Sequence, residues 1–382
     1  MGKHRIIGLC GVLALFLLGG VSSVIAAVSG QCSNCHTMHN SQNNSSLVSV
    51  DGAKWVNGTI TGGSGSGVQR QLLVTDCVGC HSNAGTETIL RVGSSVIPIV
   101  YNTGGYPDKP LAGGNFALVP GDDSKGHNVL GIANPDSKIA YAPGGKYNGE
   151  RIGCASNSCH NSLAVVLTGG REGGCKGCHN RVKHHGVDPA PGTPENAASG
   201  WYRFLGNHDI TLGGGSVVGI EDTDWEYTKS ATDHNVYRGG TALYEDVEAM
   251  SRFCAGCHGL FHANTAGADE NALGFDNSAA TDGMGSPWLR HPADFAIPNK
   301  GEYAQVLGVD YNPDVPVAKP NLASYDAGVV QLGDMVMCLS CHRAHGSNYS
   351  DMLRWDYTTM TAHGYAGDQT TGCFYCHRTK DT

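Results

Sequence analysis

Fourteen cysteines and seven histidines recur along the chain in a fixed order. They are Cys32/Cys35/His36, Cys77/Cys80/His81, Cys154/Cys159/His160, Cys175/Cys178/His179, Cys254/Cys257/His258, Cys338/Cys341/His342 and Cys373/Cys376/His377. Six read C-x-x-C-H, and the third, CASNSCH, is a stretched C-x-x-x-x-C-H. C-x-x-C-H is the attachment sequence of c-type haem. Two thiols add to the two vinyl groups on one porphyrin edge, and one helical turn brings both to that edge. The histidine that follows supplies the proximal imidazole. Zinc ribbons pair cysteines at this spacing without requiring a histidine after each second one. Disulfides across two residues would staple nothing, and thioredoxin-like chemistry needs one such motif rather than seven. The expected cofactor is haem c, seven per chain.

An iron used only for electron transfer takes a second axial ligand. Eighteen histidines are present. Setting aside His4 and the seven proximal residues leaves ten distal candidates: His39, His127, His184, His185, His208, His234, His262, His291, His345 and His363. Bis-histidine ligation can therefore complete all seven haems, with three histidines spare. Methionine, from Met38, Met335 or Met337, is the competing ligand. His39 follows His36 by three residues, as His345 follows His342, and His262 follows His258 by four. Such neighbours share one side of a helical turn. The second member cannot reach the opposite face of the first one's porphyrin, so it serves another haem or none. His39 lies close to the mature N-terminus, where a segment can leave its own body, which makes it a candidate ligand for a haem of another subunit. His184 or His185 could serve the nearby Cys154/Cys159 haem.

The elements that carry these residues are expected to be slight. Glycine makes up 55 of 382 residues, and 40% of the chain is hydrophobic. Side chains alone do not supply the core such a length permits, and seven large apolar haems would. The predicted fold class is a loop-dominated multihaem c-type cytochrome. It has little regular secondary structure, short helices at the motifs, a few short strands and a haem chain as core. Better helical stretches are 241–258 and 323–342, and SSVIPIV at 94–100 reads as a strand. The N-terminus has Lys3 and Arg5, an apolar run at 6–18 and small residues at Ala26 and Ala27, the pattern of a signal peptide over 1–26. Residues 27–382 are then one elongated domain. The net charge is −9, and removing Lys3 and Arg5 takes it to −11, with no basic stripe for nucleic acid.

These residues resemble a known family, the extracellular polymeric multihaem c-type cytochromes with doubled CxxCH motifs, the cytochrome nanowires of the OmcS and OmcE kind. The likeness runs in patches through most of the mature chain. It is carried by CSNCHTMHNS (32–41), KGHN (125–128), FCAGCHGLFH (253–262), LRHP (289–292) and CLSCHRAH (338–345). GIEDTDWE (219–226) and ATDHNVY (231–237) resemble blocks of related surface cytochromes. The count of seven and the stretched third motif depart from the best-known members. The resemblance implies a continuous haem chain, a fold made mostly of loops, and head-to-tail polymerisation. It also implies that the second histidine of the N-terminal motif, His39 here, ligates a haem of the adjacent protomer.

The expected function is conduction of electrons through closely packed bis-histidine haems, in an exported homopolymer at the outer cell surface or beyond. The partners are redox cytochromes and external acceptors such as metal oxides. Alternatives are a monomeric periplasmic or surface shuttle, and a multihaem reductase with one open haem. No C-x-x-C-K is present, and surplus histidine favours a conductor over an enzyme.

Overall fold

The computed structural model describes residues 28, 30–36, 38–39, 72, 77–139, 142–143, 163–165, 173–206, 216–240, 246, 248–258, 291–361 and 371–378. It also describes the backbone of short strands at 41–42, 45–46, 54–56, 59–61, 146–147 and 150–151. The segment 1–26, the third motif (Cys154, Cys159, His160) and His208, His262 and His363 lie outside the described residues.

Loops dominate. Three short α-helices occur among the described residues: α1 (Cys77–Cys80), α2 (Met250–Ala255) and α3 (Cys338–Cys341). The longest, α2, has six residues. All three carry motif cysteines. Other motifs sit in tighter 3₁₀ turns, Cys32–Asn34, Gly174–Gly177 and Gly372–Tyr375. Among the described residues, strands pair two at a time. Among the described residues the longest ladder joins Ile89–Val92 to Ser95–Pro98, and its second strand falls within the stretch read as a strand. Ser95 and Ile97 face inward there, and the turn is made at Gly93, whose φ is +63°.

The two long helices expected from sequence do not form. Within 241–258 the chain is extended at Ala249 (φ −79°, ψ 142°), and the helix starts only at Met250. The Asp246 carboxylate accepts from the Glu248 N–H at 3.1 Å, a local turn that competes with helix. At its other end α2 stops short of the motif's second thiol. A helix running to 258 would hold Cys257, but α2 ends at Ala255 and Gly256 is its C-cap. Cys257 lies in the turn that follows, half-buried, and its N–H donates to the Cys254 carbonyl at 3.1 Å. That bond spans three residues, the tighter 3₁₀ spacing in which helices commonly end. Cys257 is thus placed by a turn rather than by the expected helix. Within 323–342 only Cys338–Cys341 is helical. Gly333 adopts φ +97°, and Met335–Val336 pairs with Phe295–Ala296 instead. Met335 also exchanges backbone hydrogen bonds with Ala318, at 2.8 Å each way. Tertiary pairing overrides local preference here. The same region is stapled by Lys319, fully buried, whose Nζ donates to Asp334 Oδ2 at 2.6 Å and to the Val329 carbonyl at 2.8 Å.

Buried apolar side chains gather in small clusters, and motif cysteines border most of them. Tyr202, Leu205, Val217, Tyr237, Met250, Ala318, Met337 and Leu339 form one, against Cys178 and Cys254. Ile297, Val306, Tyr311, Val315, Val317, Val330 and Tyr375 form another, against Cys376. Ile97 and Ile99 pack by Cys80. Phe116, Val119 and Val129 pack by Cys175.

One glycine junction draws remote segments together. Gly346 bridges both Gly114 and Gly126. A Cβ on Gly114 would sit 2.0 Å from the Gly346 carbonyl oxygen, and one on Gly126 would sit 2.4 Å from that of His345. Only glycine allows backbones to approach this closely. The junction sets His127 and His345 on facing loops.

Candidate haem-binding sites

The six described motifs share one backbone device. The histidine N–H donates to the carbonyl of the first cysteine four residues back. The distances are 2.8 Å for His36, 2.9 Å for His81, 2.8 Å for His179, 3.0 Å for His258, 3.1 Å for His342 and 3.0 Å for His377. This single helical turn puts both sulfurs of a motif on one side. It survives in the fifth motif although α2 has already ended, so Cys254 and Cys257 keep the arrangement that two vinyl groups require. Sulfurs of successive motifs also come close. Cys35 hydrogen-bonds Cys80, which lowers its thiol to about 6. Cys254 hydrogen-bonds Cys338 and senses both Cys178 and its own motif partner Cys257, and Cys341 senses Cys373 and Cys376. The first motif therefore adjoins the second, and the fourth to seventh follow one another.

The proximal rings of five motifs are held at Nδ1. His81 Nδ1 donates to the Pro98 carbonyl at 2.7 Å, His179 to that of Arg203 at 2.7 Å and His342 to that of Asp351 at 2.6 Å. His258 faces the Pro143 carbonyl at 3.4 Å, and His377 donates to Glu302 Oε1 at 2.9 Å. A carbonyl only accepts, so Nδ1 carries the proton and Nε2 is left as a lone-pair donor for a metal. Burial lowers the pKa of His81, His127, His179 and His342. Burial also holds His345 down at about 3, with help from His179 and His127. Neutral imidazole is the ligating form.

The distal candidates then fall into place against these rings. His36 faces His185 with ring centres 6.3 Å apart, and His81 faces His184 at 6.3 Å. His258 faces His127 at 6.0 Å, His179 faces His345 at 6.1 Å, and His377 faces His291 at 6.2 Å. With each metal–imidazole bond about 2 Å long, two imidazoles on one metal have ring centres about 6 Å apart. The five separations fit a planar iron porphyrin between each pair. His184 and His185 thus turn to His81 and His36, whereas the Cys154/Cys159 segment lies outside the described residues. His127 adds a hydrogen bond from Nδ1 to the Ala344 carbonyl at 2.7 Å. A Cβ on Gly113 would come within 3.0 Å of His345 Nδ1, so that glycine leaves the ring its space.

Three residues stand apart. His234 is buried, stacks on Tyr311 at 3.8 Å, and faces carbonyls with both nitrogens, Asn235 at 2.7 Å and Ala327 at 3.0 Å. That ring has no nitrogen left for a metal. His342 meets no second imidazole among the described residues. His39 is exposed, beside Met38 at 80% exposure. Of the other methionines, Met337 is buried in the apolar core and Met335 lies in a strand. The carbonyl and carboxylate partners, including Glu302, leave no sequence signal. They come from loops remote in the chain.

Attachment turns of this form, repeated along a loop-built chain with imidazoles facing across gaps of one metal, define a multihaem c-type cytochrome. A family profile described as Doubled CXXCH motif matches residues 329–382. The chain is 24% identical to C-type cytochrome OmcS of Geobacter sulfurreducens over 91% of its own length and 85% of that protein's. Among solved structures it is similar to the Outer Membrane Cytochrome S filament from Geobacter sulfurreducens, at 19% identity and a TM-score of 0.48. That match covers 93% of this chain and 92% of the other. It is also similar to the OmcS nanowires from the same organism, at 18% identity and a TM-score of 0.46, covering 91% and 90%. The chain is thus similar to an OmcS-type multihaem cytochrome over most of its length.

Proposed function

We propose that the chain carries seven c-type haems and conducts electrons along them, in a head-to-tail homopolymer at or beyond the outer cell surface. The five imidazole pairs at 6.0–6.3 Å carry this reading. Bound haem c supplies a one-electron iron centre. The chain does the rest. Paired cysteines fix one edge of each ring, and imidazoles on both faces exclude small substrates, which favours conduction over reduction of a bound molecule. The Nδ1 hydrogen bonds hold each ring in orientation and raise its basicity. Close sulfurs of neighbouring motifs set the ring edges near one another. Cys257 remains a covalent haem position in this reading, delivered by its turn. His160 is the proximal residue of the remaining, stretched motif, and its distal partner falls among His208, His262 and His363. His234 is a spare.

His39 is exposed, His342 faces no second ring among the described residues, and one contact satisfies both. In the polymer, His39 of one subunit ligates the iron held by His342 of the next. A head-to-tail contact that does not close makes a filament, and the 24% identity to OmcS over most of both chains supports the same assembly. The partners are then redox cytochromes on one side and external acceptors such as metal oxides on the other. Export follows from cleavage of the 1–26 segment.

Intact mass and pyridine haemochrome of the assembled protein should count seven haems. Its ferric paramagnetic resonance spectrum should be low-spin throughout. The His291 and His377 planes lie at 85° and should give one strongly anisotropic signal. The near-parallel pairs of His36 and His81, at 25° and 23°, should give rhombic ones. A high-spin signal in the fully assembled, fully loaded protein would favour the reductase instead.

A further inference from the structure

One cluster of ionisable groups takes no part in holding haem. Glu195 is 7% exposed. Its backbone is locked to Gly219, with its N–H on the Gly219 carbonyl at 2.6 Å and its carbonyl accepting from the Gly219 N–H at 3.4 Å. Glu221 lies two residues beyond Gly219, and its carboxyl group hydrogen-bonds that of Glu195. Such a contact needs a proton between the two. Asp188 adds a third carboxylate. The only cation facing them among the described residues is Arg203. Its backbone N–H donates to Glu221 Oε1 at 2.7 Å and its Nη1 to Oε2 at 2.6 Å. Its Nη2 is spent on the Asp222 carbonyl and Asn235 Oδ1. The adjoining Asp222 and Glu226 carboxylates are satisfied by backbone and Asn235 donors. Tyr202, buried beneath, stays neutral. With Glu195 buried, Glu221 part-buried and Asp188 exposed at the edge around one guanidinium, the buried carboxyl is the one that holds a proton most readily.

Arg203 also connects the cluster to a haem site. Its carbonyl accepts from His179 Nδ1 at 2.7 Å. To turn its carbonyl one way and its N–H the other, Arg203 adopts φ 48° and ψ 32°. Trp201 and Phe204 beside it also have positive φ, 62° and 59°. Strain of this kind persists where surrounding contacts enforce it and gathers at functional sites.

We propose that Glu195 and Glu221 form a proton-binding site linked to the redox state of the centre held by His179. This rests on the reading that Cys175, Cys178 and His179 hold a haem. One electron arrives from the neighbouring haem and reduces ferric iron to ferrous. One proton from water binds between the two carboxyl groups. Oxidation returns both, and nothing else changes state. Glu195 is pushed up to about 9, first by burial and then by repulsion from Glu221. Ferrous bis-imidazole haem has a neutral core, whereas ferric haem adds one positive charge and lowers the proton affinity. Proton uptake on reduction is therefore centred below about 9 and extends toward neutrality. The potential of this haem falls as pH rises through that window and flattens above it.

The test is electrode-driven reduction of the haem-loaded full chain in weak buffer with an indicator dye, between about pH 6 and pH 10. Glu195→Gln should take up fewer protons per chain, by as much as one, and lose the pH-dependent component of the redox titration. Equal uptake in wild type and variant overturns the proposal. If Glu195→Gln fails to mature, Asp188→Asn removes a repelling carboxylate and should move the window to lower pH, and an unmoved window overturns it. Peptide mapping that finds no haem on Cys175 and Cys178 would overturn the haem reading instead, a separate result.

Discussion

Replacing His39 by alanine abolishes filaments and leaves one haem per chain with a single imidazole. The expectation follows from one exposed imidazole and one half-buried one. His39 sits on the surface, three residues after a histidine whose own ring already faces His185. His342 is held at Nδ1 by the Asp351 carbonyl, so its Nε2 is aimed at a metal. No second imidazole faces it among the described residues. An iron–imidazole bond across every subunit contact would fix the register of the polymer as well as its strength. The variant should elute as a haem-loaded monomer. Its resonance spectrum should gain one high-spin signal per chain, with the low-spin signals of the five facing pairs unchanged. Added imidazole should convert the high-spin signal back to low-spin without restoring filaments. Filaments of normal length in the variant would contradict the assignment.

The chain made without haem should not fold. Among the described residues the two larger apolar clusters contain eight and seven buried side chains, and the longest helix has six residues. A domain of this length normally buries far more in one place. Motif cysteines line the borders of the clusters, so the apolar faces meet where the porphyrins would lie. The histidine pairs stand about one metal apart, across gaps that a haem would fill. Stability that depends on a bound group is lost with it, by an amount that grows with affinity, and a covalent, doubly ligated haem is bound very tightly. Chain expressed without haem-attachment machinery should lack a cooperative thermal transition, lose near-ultraviolet dichroism and digest within the dead time that leaves the loaded form intact. A cooperative melt of the haem-free chain would contradict this.

The motif turns were legible because the chemistry expected of them fixes their spacing. Two vinyl groups and one iron demand two thiols and an imidazole in order, and no fold is needed to see it. The scarcity of regular structure followed from the same count of haems. Distal partners were not legible, because they depend on closure of remote loops. His345 is three residues from His342, yet the ring it faces is His179, far back in the chain, and it reaches that ring through the junction of Gly114, Gly126 and Gly346. His184 and His185 are neighbours in sequence and face two different rings. His234 looks like any other surplus histidine until both its nitrogens are seen on carbonyls. The expected helices at 241–258 and 323–342 failed for a related reason. Asp246 capped a turn in one, and Met335–Val336 was drawn into a strand pair in the other. Cys257 shows the limit from the other side. Its place after Cys254 was plain from spacing, whereas the turn that carries it was not.

The most direct measurement is cryo-electron microscopy of the purified, haem-loaded protein. The account predicts filaments with seven haems per subunit in one continuous chain. Imidazoles should lie across the irons as His36/His185, His81/His184, His179/His345, His258/His127 and His377/His291. His39 of one subunit should lie on the iron held by His342 of the next. Dispersed monomers that retain all seven haems, with His342 paired inside its own chain, would contradict it.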